Sequence, residues 1–152
     1  INNIEAYYAG ETADVAFSSR VEDLRSYPFT LMDVSEEEAL KATDKDAATT
    51  CFMDGDRIVL DLGGEKTIRA LHYLPDQGEP AQGLISHYEI AVGTDPAALT
   101  TVKEGEFSNI RNNPILQSVY FSPVIARYVS LRAVRMVEEG DKRMGFAALA
   151  VE

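Results

Sequence analysis

The pattern that most limits what this chain can fold into is a run of short alternating segments from residue 57 onward. Apolar residues occupy every second position in "RIVLDLGG", "SHYEIAVGTD", "LQSVYFSP" and "ARYVSLRAV", and a last candidate strand is "FAALAVE". A period of two is that of a β-strand with one buried face. Turn-forming residues fill the stretches between them, such as "PDQGEPAQG", "GTDP" and "NIRNNP". Gly63 and Gly64 are likewise expected to end the strand that precedes them. The sequence therefore predicts an all-β fold, an antiparallel sandwich or barrel.

Two segments depart from this pattern. In "SEEEALKA", Ser35 and Glu38 have the spacing of a capping box, which predicts a helix of one or two turns. In "TIRALHYLP" the residue types favour a strand but do not alternate cleanly, which predicts a bulge or burial on both faces. Helices are therefore expected to contribute little to the fold.

Length and charge narrow the class of protein and its partners. A chain of 152 residues suits one domain. Its formal net charge is −11 at pH 7, whereas nucleic acids and anionic lipids attract basic surfaces. We therefore expect neither nucleic acid nor membrane as a partner.

Motifs of catalysis and zinc binding are missing from the sequence. The two histidines, His72 and His87, lie in separate strand-like segments without the spacing of zinc ligands. The single cysteine, Cys51, excludes an internal disulfide and is expected to be a small buried residue. No nucleophile elbow, phosphate-binding glycine loop or dinucleotide fingerprint occurs. We therefore expect no enzyme active site in this chain, although catalytic carboxylates that meet only in the folded protein would leave no such motif.

The segment "ATDKDAATTC" is a candidate metal loop. Asp44, Asp46 and Thr49 place three oxygen-bearing side chains within one turn, and calcium prefers such oxygen ligands. The same residues also form turns in which an aspartate accepts hydrogen bonds from its own backbone. Spacing alone leaves the two interpretations open.

Two loops, residues 76–82 and 108–114, combine amide, carboxylate and guanidinium groups. Planar side chains of these kinds can grip the neighbouring hydroxyl groups of a sugar, which donate and accept together. Asparagines in loops also cap turns and tolerate left-handed backbone. The sequence therefore leaves open whether these groups bind a ligand or hold the loops in shape.

A fixed order of segments runs through the chain. It starts with the "VLDLG" strand, continues with "LHYLPDQ", "GLISHYEIAVGTD" and the "GEF" turn, and ends with "VYFSPVIARYVSLRA" and "FAALAVE". In this order the chain resembles the discoidin-like domains, also called coagulation factor V/VIII C-type domains, and in particular their carbohydrate-binding branch, the family 32 carbohydrate-binding modules. Upstream, "YPFTLMDVSEEE" is similar to the family's opening strand and turn. The resemblance covers residues 27–152.

The resemblance carries expectations about the whole protein. The segments "YLPDQ" and "GEFSNIRNNP" look most like the C-terminal modules of bacterial α-L-fucosidases and chitobiase-type hexosaminidases. It implies a non-catalytic module of a secreted, periplasmic or cell-surface glycoside hydrolase, whose partners are a glycan or monosaccharide and the catalytic domain of the same chain. Residues 1–26 would be the connector from a preceding domain or an edge strand. Because the chain begins at Ile1 without a signal-peptide pattern, we expect a fragment or a processed chain.

The resemblance also implies a fold and a site. The fold would be an eight-stranded jelly roll with one structural calcium at Asp44, Asp46 and Thr49. The sugar would bind weakly on loops at the rim, and its expected contacts are Asp76, Gln77, Asn109, Arg111 and Asn112, flanked by Arg143 or Phe146.

Three positions depart from the family pattern. Lys45 stands where the calcium loop has glycine, and Leu149 where it has a late glutamate ligand, so calcium is expected to be weak or absent. Asp76 stands where galactose-binding members commonly have arginine. These departures favour an alternative in which the domain is a structural spacer or docking domain with no affinity for sugar.

Overall fold

This computed structural model describes residues 25–44, 46–78, 81–107, 110, 114–138 and 140–152. These residues include seven β-strands and one short helix. The elements in chain order are β1 (Thr30–Leu31), α1 (Glu36–Leu40), β2 (Cys51–Asp54), β3 (Arg57–Pro75), β4 (Ile85–Gly93), β5 (Thr100–Glu106), β6 (Gln117–Met136) and β7 (Arg143–Val151). This confirms the predicted all-β antiparallel class.

Helix α1 forms where the capping pattern predicts it. The Ser35 Oγ accepts a hydrogen bond from the Glu38 backbone N at 3.1 Å, and three glutamates occupy the first turn, where the helix dipole favours negative charge. The helix buries none of its residues fully, so no apolar face sustains it beyond five residues. At that length it is far too short to cross a membrane, and it is the one helix among the described residues.

The strands follow the order β2-β7-β3-β6-β4-β5, with β1 also on β3, and every pairing is antiparallel. The first half of β3 pairs with residues 128–132 of β6, and its second half pairs with residues 117–120. The second half of β3 also pairs with β7, while the C-terminal half of β6 pairs with β4. The two long strands therefore pass from one layer of the sandwich to the other.

The path of β3 between the two layers shows that one prediction from the sequence is wrong. Gly63 and Gly64 were expected to end a strand, but β3 continues through them with a register shift between Asp61 and Lys66. Gly63 adopts a positive φ of 79°, and its N donates to Asp61 Oδ1 at 2.8 Å, so the glycine bends the strand rather than ending it. The segments predicted as two pairs of strands are thus two long strands, and the count is seven rather than eight among the described residues.

An ion pair holds the two long strands together at this bend. Arg127 of β6 donates from Nε and Nη2 to the two carboxylate oxygens of Asp61, at 2.9 and 3.1 Å. These hydrogen bonds hold the pKa of Asp61 below its ordinary value. A forked arrangement of this kind fixes geometry as well as charge.

The core lies between the layers and is filled by the inward positions of the alternating segments. Ile58, Leu60, Ile90 and Leu131 are fully buried, as their alternation predicts. Cys51 is also fully buried, and burial raises the pKa of its thiol to about 11. The cysteine is therefore an inert packing residue, in agreement with the sequence.

The end of the chain is tied to β3 and β6 by a polar network. Glu152 accepts from Arg69 Nη2 at 2.8 Å and contacts His72 Nε2 at 2.9 Å, while His72 Nδ1 contacts the Ser118 hydroxyl at 2.7 Å. The hydrogen bonds from Arg69 and His72 hold the pKa of Glu152 below its ordinary value. His72 is 4% exposed, so this network satisfies a buried polar side chain.

We predict that Glu152→Gln lowers the melting temperature by a few degrees at pH 7 and by less at pH 3. Because the folded pKa of Glu152 is depressed, its carboxylate stabilises the protein above the ordinary pKa near 4.5 and loses that effect as the pH falls through the folded value. Arg69 is 60% exposed, so screening limits the effect to about 1 kcal/mol. Thermal unfolding between pH 3 and 7 measures it, with exposed Glu104→Gln as control; equal behaviour of the two variants would contradict the prediction.

Candidate functional site

Polar loops meet at one rim of the sandwich. The central one, residues 76–84, joins β3 to β4. Gln77 Nε2 donates to the Pro114 carbonyl at 2.8 Å, which ties this loop to the β5–β6 loop. The Gly83 N donates to Asp141 Oδ2 at 3.3 Å, which ties it to the β6–β7 loop. The structure thus brings together the polar loops that the sequence leaves as separate segments.

Asp76 is the centre of the loop residues 76–84. Its Oδ1 accepts from the Thr50 hydroxyl at 2.8 Å and from the Gly78 N at 3.2 Å, and its Oδ2 accepts from the Gln82 N at 2.9 Å. The side chain is buried, with 7% exposure. A carboxylate held in this way shapes the loop, and little of it faces solvent. The structure therefore shows Asp76 as the residue that holds the rim together, a role the sequence did not predict.

The side-chain amide nitrogen of Gln77 is hydrogen-bonded within the protein, and the residue lies at the surface. Its Nε2 donates to the carbonyls of Pro75 and Pro114, both at 2.8 Å, and the residue is half-buried. Its Nε2 thus bridges the loop residues 76–84 and the loop that precedes β6. In this position its amide oxygen is the part left to accept from a ligand.

Three predicted contacts, Asn109, Arg111 and Asn112, lie outside the described residues. The structure does describe two apolar residues of the same loop. Phe107 is 5% exposed and Ile110 is 2% exposed, and both belong to the core. The loop is therefore anchored in the core on both sides of residues 108 and 109.

Phe146 cannot be a wall of an open sugar site, which corrects that prediction. It is fully buried and packs edge-on against the Tyr73 ring, with centroids 5.5 Å apart. The reason is that β7 begins at Arg143, earlier than the turn-rich segment "EEGDKRMG" suggests. Period-two alternation then turns Met144 and Phe146 inward and Arg143 outward.

Arg143 faces outward, but toward the side of helix α1. Its Cζ lies 4.4 Å from the centre of the Phe52 ring, in a cation–π contact. The sequence does not single out Phe52, because "CFMD" is only four residues long and shows no clear alternation. The signal that could have found it is the pair Phe52 and Asp54, two positions apart on one face of a short strand.

The candidate calcium loop brings its oxygens together. The Thr49 Oγ1 lies 2.6 Å from Asp44 Oδ2, 3.0 Å from the Asp46 carbonyl and 3.4 Å from the Lys41 carbonyl. The two aspartates also accept from backbone N–H groups, Asp44 from Asp46 N and Asp46 from Ala48 N. The hydrogen bonds of the turn interpretation are therefore formed, while calcium binding stays a prediction.

The chemistry of this donor set fits a hard cation only in part. A hydroxyl has one proton, so Thr49 can donate to one of its three oxygen neighbours, and the others face its lone pairs. A cation among them would relieve that contact, but four oxygens fall short of the six to eight that calcium takes. Among the described residues no three His, Cys, Asp or Glu side chains come together as metal ligands.

Comparison with known families identifies the domain. A family model described as the F5/8 type C domain matches residues 32–147. The chain belongs to this family. F5/8 type C domains are the discoidin-like domains, so the resemblance drawn from the sequence is confirmed. No curated protein matches the chain significantly.

Solved structures of carbohydrate-binding modules share the fold. The module CpGH89CBM32-5 from Clostridium perfringens, in complex with GalNAc-β-1,3-galactose, is 24% identical with a TM-score of 0.65 over 82% of this chain and 93% of that chain. The family 32 module of C. perfringens NanJ, in complex with galactose, is 19% identical with a TM-score of 0.63 over 89% and 96%. A glycoside hydrolase 29 family member from an unknown rumen bacterium is 30% identical with a TM-score of 0.61, over 75% of this chain and 20% of that chain.

We predict that Asp76→Ala destabilises this F5/8 type C domain by about 1–3 kcal/mol, because the Thr50 hydroxyl and the N–H groups of Gly78 and Gln82 lose their acceptor. Urea denaturation measures the loss, and hydrogen exchange at Gln82 reports the loop. The matched control is Asp95→Ala, which removes one carboxylate contact to the Ala97 N in an exposed turn. If both variants lose the same stability, Asp76 does not hold the rim.

Proposed function

We propose that this domain is a non-catalytic carbohydrate-binding module of a larger bacterial glycoside hydrolase and binds terminal sugars weakly on its rim loops. The observation that carries the proposal is the meeting of the polar loops at one rim, held by Asp76 and Gln77, in a chain of the F5/8 type C family. Such a rim offers many hydrogen-bonding groups on a preformed surface, which is what a small polar ligand requires.

The proposed ligand contacts come from two loops. Gln77 would accept from a sugar hydroxyl through its free amide oxygen, and Asn109, Arg111 and Asn112 would donate and accept from the β5–β6 loop. An open rim buries few ligand atoms, so we expect dissociation constants of roughly millimolar to tens of micromolar. Asp76 contributes by holding the loop, not by direct contact.

The comparisons with known proteins support a proposal about the larger protein of which this domain is a part. Two of the matched structures are modules with sugars bound, and a third is a glycoside hydrolase of which this chain matches one fifth. We propose a parent enzyme of the α-L-fucosidase or hexosaminidase kind, located outside the cytoplasm. Attachment of the module would raise the local concentration of substrate at the catalytic domain.

A second candidate function is docking against the catalytic domain without affinity for sugar. Tyr120 and Ile125 of β6 are 60% and 61% exposed, unusual for large apolar side chains. They pair with Ala70 and Thr67 of β3. A nearby cleft of about 540 Å³ is lined by Arg25, Tyr27, Thr67, Arg69 and Pro123. The exposed apolar residues thus lie near Arg25, where the described chain begins.

We predict that titration of the ¹⁵N-labelled domain with fucose, galactose, N-acetylglucosamine and N-acetylgalactosamine gives saturable NMR shifts in residues 76–82 and 109–113. The double variant Arg111→Ala and Asn112→Ala should abolish them while the fold is retained, because it removes the main donors of the loop. Arg57→Ala, an exposed arginine on β3, is the matched control. The absence of NMR shifts at high millimolar sugar would contradict the binding proposal and favour the docking function.

We also propose that calcium binds weakly at Asp44, Asp46 and Thr49, with the Lys41 carbonyl as a further ligand. At 10 mM calcium and a dissociation constant of about 1 mM, linkage predicts a stabilisation of about 1.4 kcal/mol. The melting temperature should then rise by about 3–5 °C. The Asp44→Asn variant should remove the rise, and magnesium is the control ion. A melting temperature that does not change with calcium would show that the polar groups of the loop are satisfied by hydrogen bonds within the loop.

A further inference from the structure

The outer side of β3 and β6 carries exposed apolar side chains beside a cleft. Among the described residues, Tyr120 and Ile125 are two of the four large apolar residues that are at least half exposed. They lie opposite Ala70 and Thr67 of β3. Exposed Pro123 lies between them in the chain and lines the cleft of about 540 Å³. Together with the cleft, Tyr120, Pro123 and Ile125 form the β3–β6 face, and apolar groups left in water at one place indicate an interaction surface.

The cleft of this face is positively charged, although the chain as a whole is acidic. Arg25 and Arg69 line it and are exposed, and Glu152 is the one carboxylate among its described lining residues. Glu152 is already bound by Arg69 at 2.8 Å, and Arg25 makes no ion pair with another described residue. A partner that combines apolar groups with carboxylates therefore fits the β3–β6 face.

The described chain begins at the wall of this cleft. The Tyr27 N donates to the Val151 carbonyl at 2.8 Å, and the Tyr27 hydroxyl donates to the Thr67 carbonyl at 2.9 Å. The Val151 N in turn donates to the Ser26 Oγ at 3.0 Å. Residues 26 and 27 are thus fixed against β7 and β3, so the chain that precedes Arg25 is attached at the β3–β6 face.

The N-terminal segment, residues 1–24, has the composition that this face fits. It contains aromatic residues at Tyr7, Tyr8 and Phe17, several aliphatic residues, and five acidic residues against the single basic Arg20. Such a segment can bury apolar groups and place carboxylates near arginines at the same time.

The part of the segment next to Arg25 is long enough to cross the face. The ten residues "VAFSSRVEDL", 15–24, can reach about 33 Å when extended. The length of β3 from Thr67 to His72 is about 17 Å at the rise of a strand. These ten residues include Phe17 and Val21 as apolar groups and two acidic residues immediately before Leu24.

We propose that the N-terminal segment folds back onto the β3–β6 face, so that residues 15–24 cover Tyr120 and Ile125. A tethered segment has a local concentration of about millimolar at the face, whereas a second copy of the chain, with a net charge of −11, would be repelled. The segment competes with a catalytic domain for the same face. The inference does not depend on the proposed function, because the face is formed by other residues than the rim loops.

Tryptophan fluorescence of the full chain tests whether the face is covered. The chain contains no tryptophan, so the Tyr120→Trp variant carries a single reporter, and Ile125→Trp is a second reporter of the same face. The matched control is Val134→Trp, at a residue of β6 that is 50% exposed in the part of the strand that pairs with β4. We expect acrylamide to quench the reporters on the face about threefold less than the control, because the face is covered in most molecules.

Substitutions in the segment test what covers the face. Phe17→Ser combined with Val21→Ser should raise the quenching of the Tyr120→Trp reporter to that of the control, because the covering residues lose their apolar groups. Ile4→Ser combined with Tyr8→Ser, outside residues 15–24, is the matched pair and should leave the quenching unchanged. Circular dichroism checks that each variant keeps its β-structure.

The other possible occupants of the face are distinguishable outcomes. Equal quenching on the face and at the control overturns the proposal and leaves the face open to a catalytic domain. Protection that disappears on dilution assigns the face to a second copy of the chain and also overturns the proposal. Protection that persists when Phe17 and Val21 are both changed to serine, or that both pairs of substitutions remove equally, overturns the assignment to residues 15–24.

Discussion

The long antiparallel pairing of β3 with β6 is the constraint on which the rest of this structure depends. The two strands stay paired from Arg57 and Arg132 at one end to Tyr73 and Gln117 at the other. They bend where Gly63 takes a positive φ and where Arg127 grips Asp61. The strands form one hydrogen-bonded sheet that this bend folds into two layers, in which β4 and β5 lie on the β6 side of the pair and β7 and β2 on the β3 side. The position of every rim loop follows from where these two strands begin and end.

Within this arrangement of strands, the buried carboxylate of Asp76 determines the shape of the rim. Asp76 follows β3 directly and collects hydrogen bonds from Thr50, Gly78 and Gln82. A buried carboxylate is tolerated only when donors surround it, so the loop has little freedom to close differently. The position at which galactose-binding relatives commonly carry an arginine is thus used here for architecture. Recognition must then come from neighbouring groups, which is why the proposed contacts are on Gln77 and the β5–β6 loop.

A shallow site on the rim limits how tightly this domain can bind a sugar. Few ligand atoms would be buried there, so the gain in free energy is small. Attachment to a catalytic domain would compensate by raising the local concentration of substrate. The net charge of −11 does not oppose a neutral sugar, whereas it does oppose nucleic acid and anionic lipid.

The sequence by itself determined the all-β class, the capped helix α1, the buried Cys51 and the family, because each follows from local alternation, cap chemistry or the order of segments. Tertiary structure alone decided the continuity of β3 through Gly63, since a glycine bends or ends a strand according to what pairs beyond it. It also decided the burial of Phe146, because the start of β7 depends on its pairing with β2. The role of Asp76 and the contact of Arg143 with Phe52 could not be predicted, because the partners of these residues come from segments distant in sequence. Only the pairing of strands brings such segments into contact.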